Sequence, residues 1–270
     1  IKKLKFNYPS KKLMNFFGKK ISKVGIGLSQ LNNSLYKYKK YSQKEILKFI
    51  EYAISKNIRY FDTANNYGDT EKIIGKLDNI KKDKIIISTK AGYVQNNKRN
   101  FNNNYLEKQI IKSLKRMKIE RVDIFFLNKP TLFEIEKYDL LSFCDKMKKK
   151  GLIKYAGIIV GHSKLPNYIY KSSEVKCFSF LYNLVNVKFN LDLKKTKNYK
   201  KINFIRSPFN SGLLTEKFNL NLTYDKKDYR NKIFSGNNFY FKKKKIFEIK
   251  KKLNIDDKNL KNFSSRFGFK

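Results

Sequence analysis

VDIFFLN, residues 122–128, is an apolar run of β-branched and aromatic side chains that closes on an amide. Charged, helix-like sequence precedes it and Lys129-Pro130 follows, so it reads as a buried strand. The polar end is the unusual part. Two neighbouring runs repeat the pattern: RYFD (59–62) ends in Asp62 and KIIISTK (84–90) ends in Lys90. VGIGL (24–28), KYAGIIV (154–160), VKCFSF (175–180) and INFIRS (202–207) read as further strands.

Helical repeats separate these runs. SQKEILKFIEYAISKN (42–57) opens with Ser42 and Glu45 at capping-box spacing and carries one apolar face. A short helix is expected near 70–78, and another from about Tyr105 to Lys118 with Asn104 as its N-cap. DLLSFCDKMKKK (139–150) stops at Gly151. Helices near 164–172 and 192–199 separate the last strands, and two more, 239–253 and 256–267, close the chain. This alternation predicts an α/β fold with a parallel sheet: a TIM-type (β/α) barrel with seven strands, the eighth missing from the chain. One domain over residues 1–270 is expected, with a small hairpin over 4–21 ahead of the first strand. Ile1 in place of Met, and the missing strand, suggest a fragment.

Composition narrows the partners. A chain with 41% hydrophobic residues folds in spite of its formal charge of +40. Only seven of its 62 basic residues are Arg, whereas phosphate and base readers favour the guanidinium fork. Lys, Asn, Ile, Phe and Tyr all have A/T-rich codons, so codon drift accounts for the charge and no specific nucleic-acid partner is expected. Cys144 and Cys177 stand apart from each other and from His162, which suggests neither a metal site nor a disulfide and fits a cytoplasmic protein. No apolar run approaches membrane-spanning length.

In such barrels the chemistry gathers at the C-terminal ends of the strands. Asp62, Lys90 and Asn128 would meet there, with Tyr67 on the loop after Asp62. A Tyr hydroxyl is a poor acid near neutral pH, but a neighbouring Lys ammonium favours its phenolate. Asp62 would keep Lys90 charged and oriented.

On these residues the chain resembles the aldo-keto reductases. DTANNYGDTEKIIG (62–75) is similar to the family signature around its catalytic Asp and Tyr, and ISTKAG (87–92) carries the expected Lys. RSPFNSGLLTEKF (206–218) resembles the segment after strand seven that meets the cofactor pyrophosphate. The resemblance implies reduction of a small-molecule aldehyde or ketone by NADPH. Asp62, Tyr67, Lys90 and Asn128 would be catalytic, and Ser179, Arg206, Ser207, Phe209 and Ser211 would bind the cofactor.

The chain departs from the pattern in places. Asn128 stands where most members have His, so it can donate a hydrogen bond but cannot relay a proton. Ile159 replaces a Ser that holds the carboxamide, Ser179 a Gln, and Arg206 the aromatic that stacks on the ring. NLKNFSSRFGFK (259–270) resembles the helix before an eighth strand, and the loop that binds the 2′-phosphate has no counterpart. A second expectation follows: a catalytically silent barrel serving as a cofactor sensor or interaction scaffold.

Overall fold

The computed structural model describes residues 13–16, 18–31, 41–94, 98–161, 164–215, 226, 228–234 and 236–267. His162, and residues 4–12 and 17 of the stretch 4–21, lie outside them. The first described element is a hairpin of β1 (Leu13–Phe16) and β2 (Lys19–Ser22), paired antiparallel. Its turn passes through Gly18 at φ +85°, a conformation that suits glycine. β3 is only Ile26–Gly27, shorter than the expected 24–28.

Helix α1 (Gln43–Ser55) forms as its sequence predicts. The Ser42 hydroxyl accepts from Glu45 N at 3.2 Å and the Glu45 carboxylate accepts from Ser42 N at 2.8 Å, while Ile46, Ile50, Ala53 and Ile54 are buried. After β4 (Tyr60–Asp62), the helix expected near 70–78 divides into α2 (Thr70–Ile74) and α3 (Asn79–Asp83). Gly75 ends the first, and the Asp78 side chain caps the second by accepting from Lys81 N at 2.7 Å.

β5 (Ile86–Ala91) leads to α4 (Asn103–Met117), whose N-cap is Asn102 rather than Asn104. The Asn102 side chain accepts from Asn104 N at 3.0 Å and Tyr105 N at 3.4 Å, so the helix begins two residues earlier than expected. β6 (Val122–Asn128) has the predicted bounds. A further helix, α5 (Leu132–Lys137), follows at once, with a Thr131/Glu134 capping box that TLFE (131–134) spells out. The chain continues through α6 (Leu140–Lys149), β7 (Ile153–Ile159), α7 (Asn167–Lys171), β8 (Val175–Leu181), α8 (Asn190–Asn198) and β9 (Ile202–Arg206). It closes with α9 (Tyr229–Ile233), α10 (Gly236–Leu253) and α11 (Asp257–Phe267).

Strands β3 to β9 form one seven-stranded parallel sheet in sequence order, curled into an incomplete (β/α) barrel. Alternation along each strand sorts the side chains. Ile87, Phe125, Leu127, Ile158, Phe178 and Phe180 face outward and bury against the helices with Ile50, Ile110 and Met147. Ile86, Ile124, Phe126, Ile159 and Cys177 face the interior, where Phe16 and Ile21 of the hairpin join them. Phe204 of β9 meets Phe16 at 5.7 Å, Phe126 at 5.6 Å and Tyr60 at 4.7 Å between ring centroids, so aromatic contacts link distant strands through the interior. The same parity places Asp62, Lys90, Asn128, Ser179 and Arg206 on the interior face at the C-terminal ends of their strands.

Packing there leaves no slack at Gly157. A Cβ on it would lie 2.4 Å from the Phe126 ring and 3.1 Å from Cys177 Cβ. Gly157→Ala should therefore destabilise the chain by about 1–3 kcal/mol, the usual cost of overpacking. A shift of the urea midpoint measures it, and an unchanged midpoint would mean that Phe126 moves aside freely. Both cysteines are free and buried, and burial pushes the Cys144 thiol up to about 12. Among the described residues no helix is long and apolar enough to cross a membrane.

Candidate active site

Lys90 is the centre of the site, on a strand whose every position is buried. Only 4% of its side chain is exposed, and an ammonium has three protons to place. One goes to Asp62 Oδ2 at 2.6 Å and one to the Thr63 carbonyl at 2.8 Å. The third direction is toward Tyr67, whose ring centroid lies 4.6 Å from Nζ and whose hydroxyl favours the charged ammonium. Burial is the largest single influence on Lys90 and disfavours its charge. Asp62 and Tyr67 together outweigh it, so the Lys90 pKa stands above its ordinary value.

Asp62 is held in turn. Ser88 Oγ donates to Asp62 Oδ1 at 2.7 Å, and Tyr60 Oη lies 2.8 Å from Ser88 Oγ. The Ser88 proton is committed to the carboxylate, so Tyr60 must donate to Ser88. Burial first, and then the Asp62 charge, push the Tyr60 pKa well up and keep that proton in place. The polar chain runs Tyr60 to Ser88 to Asp62, where it meets Lys90 from the other side. Sequence reasoning missed Tyr60, Ser88 and the Thr63 carbonyl. Ser88 could have been found, because it lies two residues before Lys90 and therefore on the same face of β5.

The Tyr67 loop is tied down by its own backbone. Tyr67 N donates to Ala64 O at 3.1 Å, and Thr70 Oγ1 donates to Tyr67 O at 3.1 Å while lying 2.6 Å from Thr63 Oγ1. Behind it, buried Glu71 accepts from Thr89 Oγ1 and Arg116 Nε, each at 2.6 Å, which pins α2 to β5 and α4. Asn128 ends β6 opposite Ile159, and its side chain makes no hydrogen bond among the described residues. Its amide is available to a ligand. The next residue, Lys129, adopts a left-handed φ of +59°, a conformation that costs a non-glycine residue about 1–2 kcal/mol.

The segment after β9 is also bent against preference. Ser207, Asn210 and Ser211 have φ of +56°, +46° and +57°. Asn183 braces the first turn by donating to Ser207 O at 3.0 Å, and Phe209 O accepts from Gly212 N at 3.0 Å and Leu214 N at 3.1 Å. Asn210 Nδ2 is buried with no partner among the described residues. An orphaned donor in a strained loop carrying Ser207 and Ser211 suits an oxygen-rich group such as a phosphate. Ser179 is buried on β8, two residues before its end and beside Ile159 of β7. Arg206 donates from Nη2 to Val160 O at 3.1 Å. Ile159, only 5% exposed, has no polar side-chain atom.

A sequence model of the Aldo/keto reductase family matches residues 23–260, from before β3 to within the last helix. The chain belongs to the aldo/keto reductase family. Members of this family generally bind a nicotinamide cofactor. The chain is 28% identical over 212 residues to an uncharacterised oxidoreductase of Bacillus subtilis, YqkF, covering 73% of itself and 64% of that protein. A D-threo-aldose 1-dehydrogenase of a Pseudomonas species is 25% identical over 52% of the chain and 50% of its own length. Among solved structures, a glycerol dehydrogenase of Gluconobacter oxydans superposes with a TM-score of 0.75 at 20% identity, over 95% of this chain and 81% of the other. An aldo-keto reductase of Bacillus halodurans in its holo form gives 0.65 at 21% identity, over 83% and 75%. These structures share the barrel.

Proposed function

We propose that this aldo/keto reductase reduces an aldehyde or ketone to the alcohol with NADPH. The single observation that carries the proposal is the buried Lys90 ammonium, fixed by Asp62 and Thr63 O and directed at Tyr67. When bound, the nicotinamide cofactor supplies the hydride. Tyr67 gives its proton to the carbonyl oxygen, and the Lys90 charge stabilises the phenolate left behind. Asp62 keeps Lys90 protonated and aimed, and Asn128 donates its amide N–H to the same oxygen, polarising the carbonyl. Ser207, Phe209, Ser211 and the orphaned Asn210 amide would hold the cofactor phosphates, with Arg206 and Ser179 nearer the ring.

Ile159 favours a second reading, a barrel that binds cofactor without turning it over. An apolar side chain at that place cannot donate to a carboxamide, so the ring would be loosely oriented. Titrating the chain with NADPH, following its fluorescence, and then adding an aldehyde decides between the two. Binding with oxidation of NADPH supports the reductase, binding without oxidation the sensor, and absence of binding removes both.

Asn128→His provides a sharper check. An imidazole titrates near about 6.5 and could pass a proton where the amide cannot. The variant should raise turnover by about tenfold below pH 7, less than the ~10²–10⁴ that general acid catalysis supplies because Tyr67 already donates a proton, and should lose that gain above pH 8. A pH–rate profile of the two proteins measures it. No gain at any pH would mean that Asn128 does not face the reacting oxygen.

A further inference from the structure

Lys129 stands directly after the amide that meets the carbonyl oxygen, between Asn128 and Pro130. Its left-handed backbone is held on both sides: Lys129 N donates to Leu127 O at 3.1 Å, and Lys129 O accepts from Arg99 Nη2 at 2.7 Å. The side chain starts against the end of β7, since a Cβ on Gly161 would sit 3.5 Å from Lys129 Cβ. Arg206 reaches the same place from β9, through its bond to Val160 O. Two cations therefore flank Val160-Gly161 at the mouth of the barrel.

The nearby charges are answered unequally. Arg99 forms a forked pair with Glu134, which also accepts from Thr131 N at 2.7 Å. Asp62 is committed to Lys90 and Ser88. Lys129 has no carboxylate within ion-pair distance among the described residues; its ammonium meets only the Tyr93 ring, 5.9 Å from the centroid. Burial, followed by repulsion from Arg206 and Arg99, lowers its pKa to about 8. A half-buried cation among cations is an unfavourable arrangement that an anion would relieve.

Resting on the carbonyl reduction proposed above, we infer that Lys129, with Arg206 beside it, is a specificity-determining subsite for an anionic group, so that the preferred carbonyl substrates carry a carboxylate or a phosphate. A lysine suits this role as a point charge that tolerates varied anion geometry. The subsite adjoins Asn128, so the anion would sit a short distance from the reacting carbonyl.

Calorimetric titration in the presence of NADP⁺, which permits no reduction, tests it with 4-formylbenzoate against its methyl ester and glyceraldehyde 3-phosphate against glyceraldehyde. At pH 7 at least one anionic compound should bind about tenfold more tightly than its neutral partner. Lys129→Gln should bring that ratio to about one, and Lys129→Arg, which keeps the charge, should preserve it. At pH 9 the ratio should fall in the unaltered chain and persist in Lys129→Arg. The pair that discriminates separates carboxylate from phosphate. A ratio near one in the unaltered chain, or one that survives in Lys129→Gln, overturns the subsite. So does a Lys129→Gln protein whose main defect is weaker NADPH binding, because the cations would then belong to the cofactor. Discrimination without turnover of any aldehyde by NADPH would leave the subsite standing and remove the reductase.

Discussion

Tyr67→Phe is expected to lower kcat for carbonyl reduction by about 10²–10⁴, the range attached to loss of a positioned proton donor. The rest of the site should persist. The ring keeps its place over the Lys90 ammonium, 4.6 Å from centroid to Nζ, and Lys90 retains its bonds to Asp62 and Thr63 O. Loss of the hydroxyl as a partner for the ammonium should cost about 1 kcal/mol of stability. Turnover at saturating NADPH, a fluorescence titration of the cofactor and urea unfolding together separate these effects. Undiminished turnover in a folded, cofactor-binding variant would show that the carbonyl takes its proton elsewhere.

Asp62→Asn is expected to destabilise the chain by about 3 kcal/mol at pH 7, the lower end of the ~3–5 kcal/mol lost when one partner of a buried ion pair is removed. The lower end applies because Asp62 is 29% exposed while Lys90 is 4% exposed. The pH dependence should change sign. In the unaltered chain the Lys90 pKa is raised above its ordinary value, so its contribution is fully present below that value, about 10.4, and is lost as pH rises through the folded-state pKa. Without Asp62, burial dominates and the folded-state pKa falls below the ordinary one. The deficit at pH 7 should then shrink as the pH approaches 10. Urea unfolding at pH 7 and pH 10 should show no loss from this pair in the unaltered chain and a shrinking deficit in the variant, and Asp62→Asn/Lys90→Met should recover part of the loss because no charge is left buried. A cost below about 1 kcal/mol at pH 7, unrelieved in the double variant, would mean that Thr63 O and solvent already satisfy Lys90.

Much of the site could be read along the chain, and the misses share a cause. Asp62, Lys90 and Asn128 are visible because each interrupts an apolar run at its end, and strand ends in this architecture converge. Helix α1 is visible because Ser42 and Glu45 are three residues apart. Ser88 and Tyr60 were missed because their importance depends on the register that pairs Asp62 with Ser88 across β4 and β5. The division of the helix at Gly75 was missed for a related reason: a Cβ there would lie 2.3 Å from Arg116 O on another helix. The N-cap of α4 went to Asn102 among three consecutive asparagines, where composition could not choose.

Lys129 shows the boundary most clearly. In the sequence it is one lysine in a chain of formal charge +40, and nothing local separates it from the solvated ones. Only the fold brings Arg206 and Arg99 near it and, among the described residues, places no carboxylate within ion-pair distance. The sequence by itself determined the order of the sheet strands, most of the helices between them, and which polar groups end the strands, because periodicity and capping depend on neighbours within a few positions. Tertiary structure decided which of those groups touch, which way the protons point from Tyr60 to Asp62, and which charge is left unanswered. Hydrogen-bond direction and desolvation depend on atoms brought from β4, β5, β7 and β9, and no local pattern encodes those distances.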